Sequence, residues 1–503
     1  MRSGVRFSWG RPEAVLLVGI LAWHALHWNY TVDDAFISFR YARNLCAGNG
    51  LVYNVDERVE GYTNFLWVIL MAPPIALGLD PVVASKLLGL ACSAILLLLV
   101  AREIDRRSGR GVAFGAGLLL SADPSFALWS VAGLETPLFL LLAFLALRPL
   151  LEEEPRLPRA TGLWAGLAAL TRPEGVLLMG ALAGIGIAAR ARGSAGRALL
   201  VFAALVLPHL AFRLAYYGDP LPNTFYAKAG VGAAAWARGG RYLADWLLGY
   251  GQVLLVGLAL AGAGSRRARA ALALAGAFAI YVVAIGGDGL VMFRFGLFLI
   301  VPLVLAAAEG AARAARALAA RRVAPAAVAL LALAAALPAR NSFAGQYRDF
   351  ALDDRARVRL HWSEIGRWLA GHARSGETAA VPVAGAIAYY GGITTIDMLG
   401  ITDRHIARRA MPAFGSGIAG HEKHDMDYVL SRRPTYFIHY PFLLPEPVFT
   451  KGQFETDWNP GLAALLTSER FDREYRGEVA EIRVPGAQRT SYLAYFRRKE
   501  EAP

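Results

Sequence analysis

The sequence predicts a polytopic α-helical membrane protein whose last third is a separate α/β domain. Of its 503 residues, 56% are apolar and only 18% are charged, and the mean hydropathy is +0.40. A soluble core does not need this much apolar material. The apolar residues form runs close to the ~20 residues that cross a bilayer. Arginine clusters recur between alternate runs, as expected where every second loop faces the cytoplasm.

The apolar runs predict a membrane domain over residues 1–338 with about eleven spanning helices. An odd number of spans places the two ends of this domain on opposite sides of the membrane. The predicted helices lie near residues 12–29, 81–101, 111–129, 134–149, 160–172, 175–190, 197–216, 244–264, 268–286, 293–310 and 322–338.

Arginine placement predicts the orientation of these helices. With the N-terminus in the cytoplasm, six inner segments contain clustered arginines, as the positive-inside rule requires. These segments are 2–11, 102–110, 148–159, 190–197, 266–269 and 313–322. We therefore expect a multi-pass protein of the inner (plasma) membrane with its C-terminal domain outside the cytoplasm.

The same distribution explains the positive net charge. Residues 339–503 carry 22 Lys and Arg against 20 Asp and Glu, so nearly all of the net charge of +13 belongs to the membrane part. A basic composition that reports membrane orientation gives no reason to expect nucleic-acid binding.

The first outer loop, residues 30–80, is the most informative polar segment. It begins with the adjacent carboxylates of Asp33 and Asp34, which must face water, pair with a cation or take part in chemistry. Residues 33–46 have the pattern of an amphipathic helix, with Thr31 as its predicted N-cap. Residues 61–80 are apolar but contain Pro73 and Pro74, which favours an interfacial or re-entrant helix over a span.

The predicted extracytoplasmic domain covers residues 339–503. An amphipathic stretch is followed by apolar runs with turn signals between helical patterns, which is typical of α/β structure. Its polar residues include Asp397, Asp403, His405, His421, Lys423, His424 and Asp425. No spacing among them matches a tight metal motif, so a metal site is not expected.

Nearly all unusual polar residues of the membrane domain fall on the outer side in this topology. A transporter usually needs ionisable groups at mid-membrane and broken helices in repeated halves, and neither is clear here. A flippase or transporter of lipid-linked glycans remains an alternative, as does a membrane scaffold with a recognition domain. A scaffold would leave the acid pair without a role, so an enzyme acting at the outer face is favoured.

Several motifs resemble one family of membrane glycosyltransferases. They are VDDAFISFRYARNL, GNGLVYN, ERVEGYTNFLW, GLETPLF, LTRPEG, YYGDPLPNTFYAK, GGDG, IDMLGITDRHIAR and GHEKHD, in this order. The sequence resembles the family that contains the mycobacterial terminal β-(1→2)-arabinofuranosyltransferase. The resemblance implies a GT-C fold, a polyprenyl-phosphate-linked sugar donor, a cell-envelope glycan acceptor, and an active site marked by the acid pair. It also makes arabinofuranose the expected sugar.

The chemistry of such a donor assigns roles to the outer residues. The acceptor hydroxyl needs an acid or base group, and Asp33 or Asp34 is the catalytic candidate, with the choice between them open. The leaving phosphate needs cations or hydrogen-bond donors. The donor-site and phosphate-site candidates are Arg40, Glu135, Arg172, Lys228 and Arg294. The acceptor or sugar-binding candidates are Tyr62, Asn64, Asn223, Tyr226, Asp288, His421 and Lys423.

Structural interpretations compete with several of these roles. Arg172 and Glu174 could form an ion pair that braces a helical hairpin, and Gly-Asp288-Gly is an ordinary turn sequence. His421 and Lys423 could line a solvated surface. No cofactor is expected with certainty, and assistance by a divalent cation is left open.

Overall fold

A computed structural model describes residues 11–191, 195–228, 232–317, 323–411, 414–449 and 460–500. The predicted helices are present, and most of their ends lie within a few residues of the expected positions. The first nine helices are α1 Arg11–Trp28, α2 Asp33–Cys46, α3 Phe65–Ala76, α4 Pro81–Ser108, α5 Arg110–Ala122, α6 Pro124–Trp129, α7 Thr136–Leu147, α8 Arg159–Thr171 and α9 Glu174–Ala188.

The next seven helices complete the apolar part of the chain. Two predicted spans are interrupted. The span 111–129 breaks at Asp123, which caps α6. The span 244–264 breaks at residues 250–252, between a π-helical turn at Asp245–Gly249 and the helix that starts at Val253, and the chain bends there by 89°. These helices are α10 Ala195–Tyr217, α11 Asn223–Lys228, α12 Ala233–Ala244, α13 Val253–Ala261, α14 Arg266–Ile285, α15 Leu297–Ala317 and α16 Val323–Ala339.

Length and composition identify which helices could cross a membrane. Among the described residues, five helices are long and apolar enough, or up to seven if each of two bent helix pairs forms one span. Four shorter apolar helices, of 10–17 residues, accompany them. The expected total of about eleven spans stays a prediction. The five long helices are Pro81–Ser108, Ala195–Tyr217, Arg266–Ile285, Arg294–Ala317 and Pro325–Ser342.

The remainder of the chain forms the predicted α/β structure. The fold class expected from the sequence, a helical membrane protein with a C-terminal α/β region, is confirmed. Its elements are α17 Gln346–Ala356, α18 Ser363–His372, β1 Thr378–Val381, α19 Ala386–Gly391, β2 Thr394–Asp397, α20 Arg404–Arg408, α21 Met426–Ser431, β3 Tyr436–Phe437, β4 Leu443–Leu444, α22 Pro460–Leu466, α23 Glu469–Glu474, β5 Tyr475–Ile482 and β6 Ser491–Arg498.

These strands make one mixed sheet. Its order is β2-β1-β3-β6-β4, and β5 pairs with β6. Strand β1 is parallel to β2 and β3, with Val381 opposite Asp397, whereas β6 is antiparallel to its neighbours. Phe437, Phe471 and Phe496 belong to the buried hydrophobic core of this region. The parallel strands place the segments that follow β1 and β2 at the same sheet edge.

Compactness divides the chain into two discontinuous units. The membrane unit comprises Met1–Tyr30, Ser85–His209 and Ala237–Ala351. The second unit, which we call the outer unit because it contains the predicted outer loop and tail, comprises Thr31–Ala84, Leu210–Trp236 and Leu352–Pro503. The first outer loop therefore groups with the tail rather than with residues 1–338, because its helices and side chains pack against tail segments. The predicted division at residue 338 remains a prediction about the folding domains.

Helix α2 begins where the sequence predicts, but its cap differs. Thr31 was expected to be the N-cap, and this prediction is wrong: the N-cap residue is Val32, which makes no side-chain cap bond. Asp33 and Asp34 instead put two acidic groups in the first turn. Negative charge there interacts favourably with the positive end of the helix dipole. The buried face of α2 includes Phe36, Phe39 and Arg40.

Candidate active site

The acid pair lies at the start of α2, where two neighbouring side chains point roughly 100° apart. Both residues are half-buried, but their partners differ. Asp33 accepts hydrogen bonds from two backbone N–H groups of the tail, that of Gly385 to Oδ2 at 2.9 Å and that of Ala386 to Oδ1 at 2.7 Å. Burial raises the pKa of the Asp33 carboxyl to about 7, although these N–H groups favour its charged form.

Asp34 contacts a cation instead of backbone. Its Oδ2 lies 3.3 Å from Nζ of Lys228, and the two side chains are 26% and 36% exposed. His421 is exposed and lies close enough for the charges of Lys228 and Asp34 to act on it. We call Asp33, Asp34, Lys228 and His421 the acid–lysine cluster.

Helix α11 positions the lysine of this cluster. The helix starts at Asn223, whose Nδ2 donates to the carbonyl oxygens of Gly400, Ile401 and Asp403 at 2.9–3.1 Å. Lys228 is the last residue of the same short helix. Asn223, predicted to bind sugar, is thus buried and bonded to the tail, so it acts on the cluster through the placement of α11.

Tyr226 makes a second set of contacts that holds the loop containing Lys228. Its hydroxyl donates to Oδ1 of the buried Asp219 at 2.8 Å, and Arg408 bonds the other carboxylate oxygen. The Arg408 guanidinium also stacks on the Tyr226 ring, 4.7 Å from its centroid. Tyr226 therefore braces the loop that carries Lys228.

Three other predicted residues of the first loop are buried among protein groups. Arg40 donates to the carbonyls of Tyr53, Ala388 and Ile393 and to Asn54 Oδ1, and it stacks 4.5 Å from the centre of the Tyr53 ring. The hydroxyl of Tyr62 is 3.1 Å from that of Tyr217, and Asn64 bonds the Ser38 hydroxyl. These contacts hold the loop together and leave Arg40 poorly placed to bind a phosphate.

Lys423 is also occupied by protein groups. Its Nζ donates to the carbonyl oxygen of Arg409 and lies 4.3 Å from the centre of the Phe414 ring. Lys423 is buried, whereas His421, two positions earlier in the sequence, is exposed. Of the two tail residues predicted to contact an acceptor, only His421 is exposed and belongs to the acid–lysine cluster.

The membrane unit contains a separate, buried ion network. Arg172 bonds Glu135 through Nη1 and Glu174 through Nη2, the latter at 2.8 Å. All three side chains are at most 5% exposed. The hydroxyl of Tyr281 lies 3.2 Å from Glu174, and the guanidinium stacks on Phe298. We call Glu135, Arg172, Glu174 and Tyr281 the arginine network. Glu135, a predicted donor-site residue, is thus bonded to Arg172.

Arg294 and Asp288 form a neighbouring buried pair in the same unit. Nε of Arg294 is 3.1 Å from Asp288 Oδ2, and both side chains are less than 10% exposed. The guanidinium lies over Trp129, 5.5 Å from the ring centroid. Asp288 follows Gly286 and Gly287, whose positive φ angles shape the turn. The pair therefore fixes this turn against its neighbours.

Sequence reasoning did not identify Gly385 and Ala386 as partners of Asp33. Their backbone N–H groups carry no side-chain signal, and 352 residues separate Gly385 from Asp33. The only available indication was a glycine between an apolar strand and a helical run in AAVPVAGAIAYYGG. Among the described residues, no three His, Cys, Asp or Glu side chains lie together in a way that could hold a metal ion.

Comparison with known proteins confirms the fold and extends the resemblance. The fold is of the GT-C class: the chain is similar to ArnT from Cupriavidus metallidurans bound to undecaprenyl phosphate, with a TM-score of 0.56, 14% identity, and 96% and 97% of the two chains covered. Residues 346–490 match a family described as "Domain of unknown function (DUF8728)".

Two named relatives are more similar in sequence. The terminal β-(1→2)-arabinofuranosyltransferase of Mycobacterium tuberculosis (strain ATCC 25618 / H37Rv) is 32% identical over 255 residues, 46% of this chain and 40% of the relative. The protein of the same name from Corynebacterium glutamicum is 31% identical over 283 residues, 49% of this chain and 40% of the relative. The matched parts thus span less than half of each relative's length.

Proposed function

We propose that this protein is a membrane glycosyltransferase that moves a sugar from a polyprenyl-phosphate donor to a glycan acceptor of the cell envelope. The observation that carries the proposal is the acid–lysine cluster, in which the partly solvent-accessible carboxylate of Asp34 is paired with Lys228. The names of the two relatives support the reaction, and the undecaprenyl phosphate bound to ArnT supports the lipid-phosphate donor.

The reaction requires one proton acceptor and one countercharge. The bond between the anomeric carbon and the phosphate oxygen breaks, and a bond forms from that carbon to the acceptor hydroxyl oxygen. The hydroxyl proton moves to a base, and polyprenyl phosphate leaves with an additional negative charge. Asp34 is our candidate for the base, or for the group that orients the sugar, because its carboxylate is accessible. Asp33 is our candidate for its positioning partner, because its two oxygens already accept backbone N–H groups.

Lys228 is the strongest candidate for the phosphate countercharge. A lysine on a flexible stem can turn between Asp34 and an incoming phosphate, and a charge-assisted bond to phosphate strengthens as the leaving group gains charge. Arg172 and Arg294 already pair with carboxylates, and Arg40 with carbonyl groups, so we assign them supporting roles. His421 is the candidate for acceptor contact beside Lys228.

Arabinofuranose is the proposed sugar, on the strength of the two relatives' names. We also propose that the reaction takes place on the outer face of the inner membrane. The arginine clusters of six predicted inner segments support this orientation, because they place the acid pair and the tail outside the cytoplasm.

The test uses purified protein with synthetic polyprenyl-phosphate arabinofuranose and an arabinan oligosaccharide. Wild-type protein should extend the oligosaccharide, and Asp34→Asn should lose about 10²–10⁴-fold in kcat because the amide cannot accept the proton. Asp427→Asn, which changes an exposed carboxylate of the same unit, is the control and should retain activity. A wild-type protein that uses only nucleotide sugars would contradict the lipid-donor proposal.

A further inference from the structure

The tail segment that follows β1 makes unusual contacts with the first outer loop. We call residues 384–393 the clasp segment; it carries α19 and lies inside the region matched by the domain family of unknown function. The clasp segment and α2 both belong to the outer unit. Its main-chain groups, rather than its side chains, make most of the hydrogen bonds between them.

These main-chain bonds follow one side of α2. Beyond the two N–H groups on Asp33, the carbonyl of Ala388 accepts from Arg40, and that of Tyr389 accepts from Nη1 of Arg43 at 2.8 Å. Positions 33, 40 and 43 share one helical face because seven and ten residues correspond to about two and three turns. Several turns of α2 are thus bonded to the clasp segment.

Side-chain and loop contacts support the same arrangement. The Phe36 ring packs against Tyr389 and Tyr390, with centroids 5.6 and 5.4 Å apart. After α2, the hydroxyl of Tyr53 donates to the carbonyl of Ala384 at 2.6 Å, next to the residue that bonds Asp33. The clasp segment therefore contacts both α2 and, through Tyr53, the part of the first loop that follows α2.

Gly385 permits this contact by its lack of a side chain. A Cβ atom at Gly385 would lie 2.0 Å from the main-chain oxygen of Asp33 and 2.5 Å from its carboxyl carbon. Real Cβ atoms essentially never approach backbone so closely. A substituted residue would push the first turn of α2 away from the clasp segment.

We infer that the clasp segment is a positioning element of the transferase site. By fixing the Asp33 carboxylate it fixes the first turn of α2, and hence the direction in which Asp34 faces Lys228. This inference rests on the proposed function for its catalytic meaning. It gives part of a domain of unknown function a specific task, which is to complete the site in cis with main-chain groups.

The kinetic test compares Gly385→Ala with Gly371→Ala, an exposed helical glycine of the same unit whose added Cβ would meet nothing within 4 Å. A displacement of about 1 Å can cost 10²-fold in rate. Gly385→Ala should therefore lose about 10²-fold in kcat with a nearly unchanged KM for the lipid donor. Gly371→Ala should keep both values. Equal kinetics for the two variants would overturn the inference.

A gentler variant covers the case in which Gly385→Ala does not fold. Tyr53→Phe removes the bond to Ala384, together with the bond that the Tyr53 hydroxyl accepts from Thr395, and should lower kcat several-fold, since one hydrogen bond contributes about 1 kcal/mol. Its control is Tyr475→Phe, which removes an equivalent bond from a buried tyrosine to the carbonyl of Pro434. If Tyr53→Phe matches this control in kcat, the positioning role is wrong.

An activity-independent measurement separates this inference from the proposed function. Hydrogen exchange of peptides covering residues 383–388 should be faster in Asp33→Ala than in wild type, because the N–H groups of Gly385 and Ala386 lose their acceptor. Unchanged exchange would overturn the clasp contact whatever the enzyme does. Faster exchange together with a wild-type protein that transfers no sugar would instead count against the proposed function.

Discussion

The arginine network of the membrane unit and the acid–lysine cluster of the outer unit both pair carboxylates with basic side chains, but solvent reaches only one of them. Arg172 is held by two glutamates that are at most 3% exposed, whereas Asp34 and Lys228 are 26% and 36% exposed. A buried pair with its bonds complete braces the fold, and breaking it is costly. A partly exposed pair contributes little to stability and leaves room for a ligand. The two clusters should therefore respond to mutation in opposite ways.

The largest effect on stability should come from the arginine network. Arg172→Gln leaves Glu135 and Glu174 buried without their cation, and we expect a loss of about 3–5 kcal/mol in the free energy of unfolding. Thermal unfolding of the detergent-solubilised protein measures it. Arg106→Gln is the control: its side chain is 54% exposed, and its partner Glu103 keeps Arg107 and Arg148. A similar, small loss of unfolding free energy in both variants would contradict the structural role that we assign to the arginine network.

The next-largest effect should be a loss of catalytic efficiency without a loss of stability. Lys228→Gln removes the countercharge for the leaving phosphate, and a charged hydrogen bond worth about 1.5–3 kcal/mol corresponds to a loss of about 10–10²-fold in kcat/KM. Lys228→Arg should recover part of it, because the positive charge returns with a different shape. Lys499→Gln in the exposed tail should be neutral. Donor kinetics that do not distinguish Lys228→Gln from Lys499→Gln would contradict the phosphate role.

A smaller effect should be visible as a pH dependence of stability. The pKa of Asp33 is raised to about 7 in the folded protein, against about 3.9 for an unfolded chain. Between these values the folded state binds more protons than the unfolded state, so stability should fall as pH rises from about 4 to 7. Asp33→Asn carries no titrating group and should lack this part of the slope. Unfolding temperatures of both proteins across this range measure the difference, and parallel curves would show that Asp33 does not titrate there.

The smallest effect should come from the brace beside the acid–lysine cluster. Arg408 is 45% exposed, and its partner Asp219 keeps the Tyr226 hydroxyl when Arg408 is replaced. Arg408→Gln should therefore change the free energy of unfolding by about 1 kcal/mol or less. Sugar transfer should stay near the wild-type rate. A large loss of activity without a loss of stability would show that Arg408 takes part in sugar transfer and is not only a structural residue.

The sequence predicted the helices better than it predicted which side chains contact one another. Apolar runs and the arginine pattern predicted the helices, since both follow directly from the bilayer as solvent. The acid pair stood out because two adjacent carboxylates at a helix start are unusual. Lys228 was proposed as a phosphate ligand, but its contact with Asp34 could not be predicted, because the two residues are 194 positions apart in the sequence.

The main-chain contacts of the clasp segment were even harder to predict from the sequence. Gly385 and Ala386 act through N–H groups that every residue except proline possesses, so no residue type marks them. The expected cap at Thr31 failed for a local reason, since the acids of the first turn interact with the helix dipole without a side-chain cap. The sequence marked Asn223 and Arg40 as candidate site residues, but only their contacts in the structure show that they hold loops in place.

The most direct test of the account measures stability and turnover together for Asp34→Asn and Glu135→Gln. Both variants replace a carboxylate by its isosteric amide. We predict that Asp34→Asn unfolds near the wild-type temperature and loses about 10²–10⁴-fold in kcat with the lipid-linked donor. Glu135→Gln should unfold at a clearly lower temperature, while its folded fraction keeps most of its turnover. Near-native turnover in Asp34→Asn, with the catalytic loss in Glu135→Gln instead, would contradict the account and move the reacting carboxylate into the arginine network.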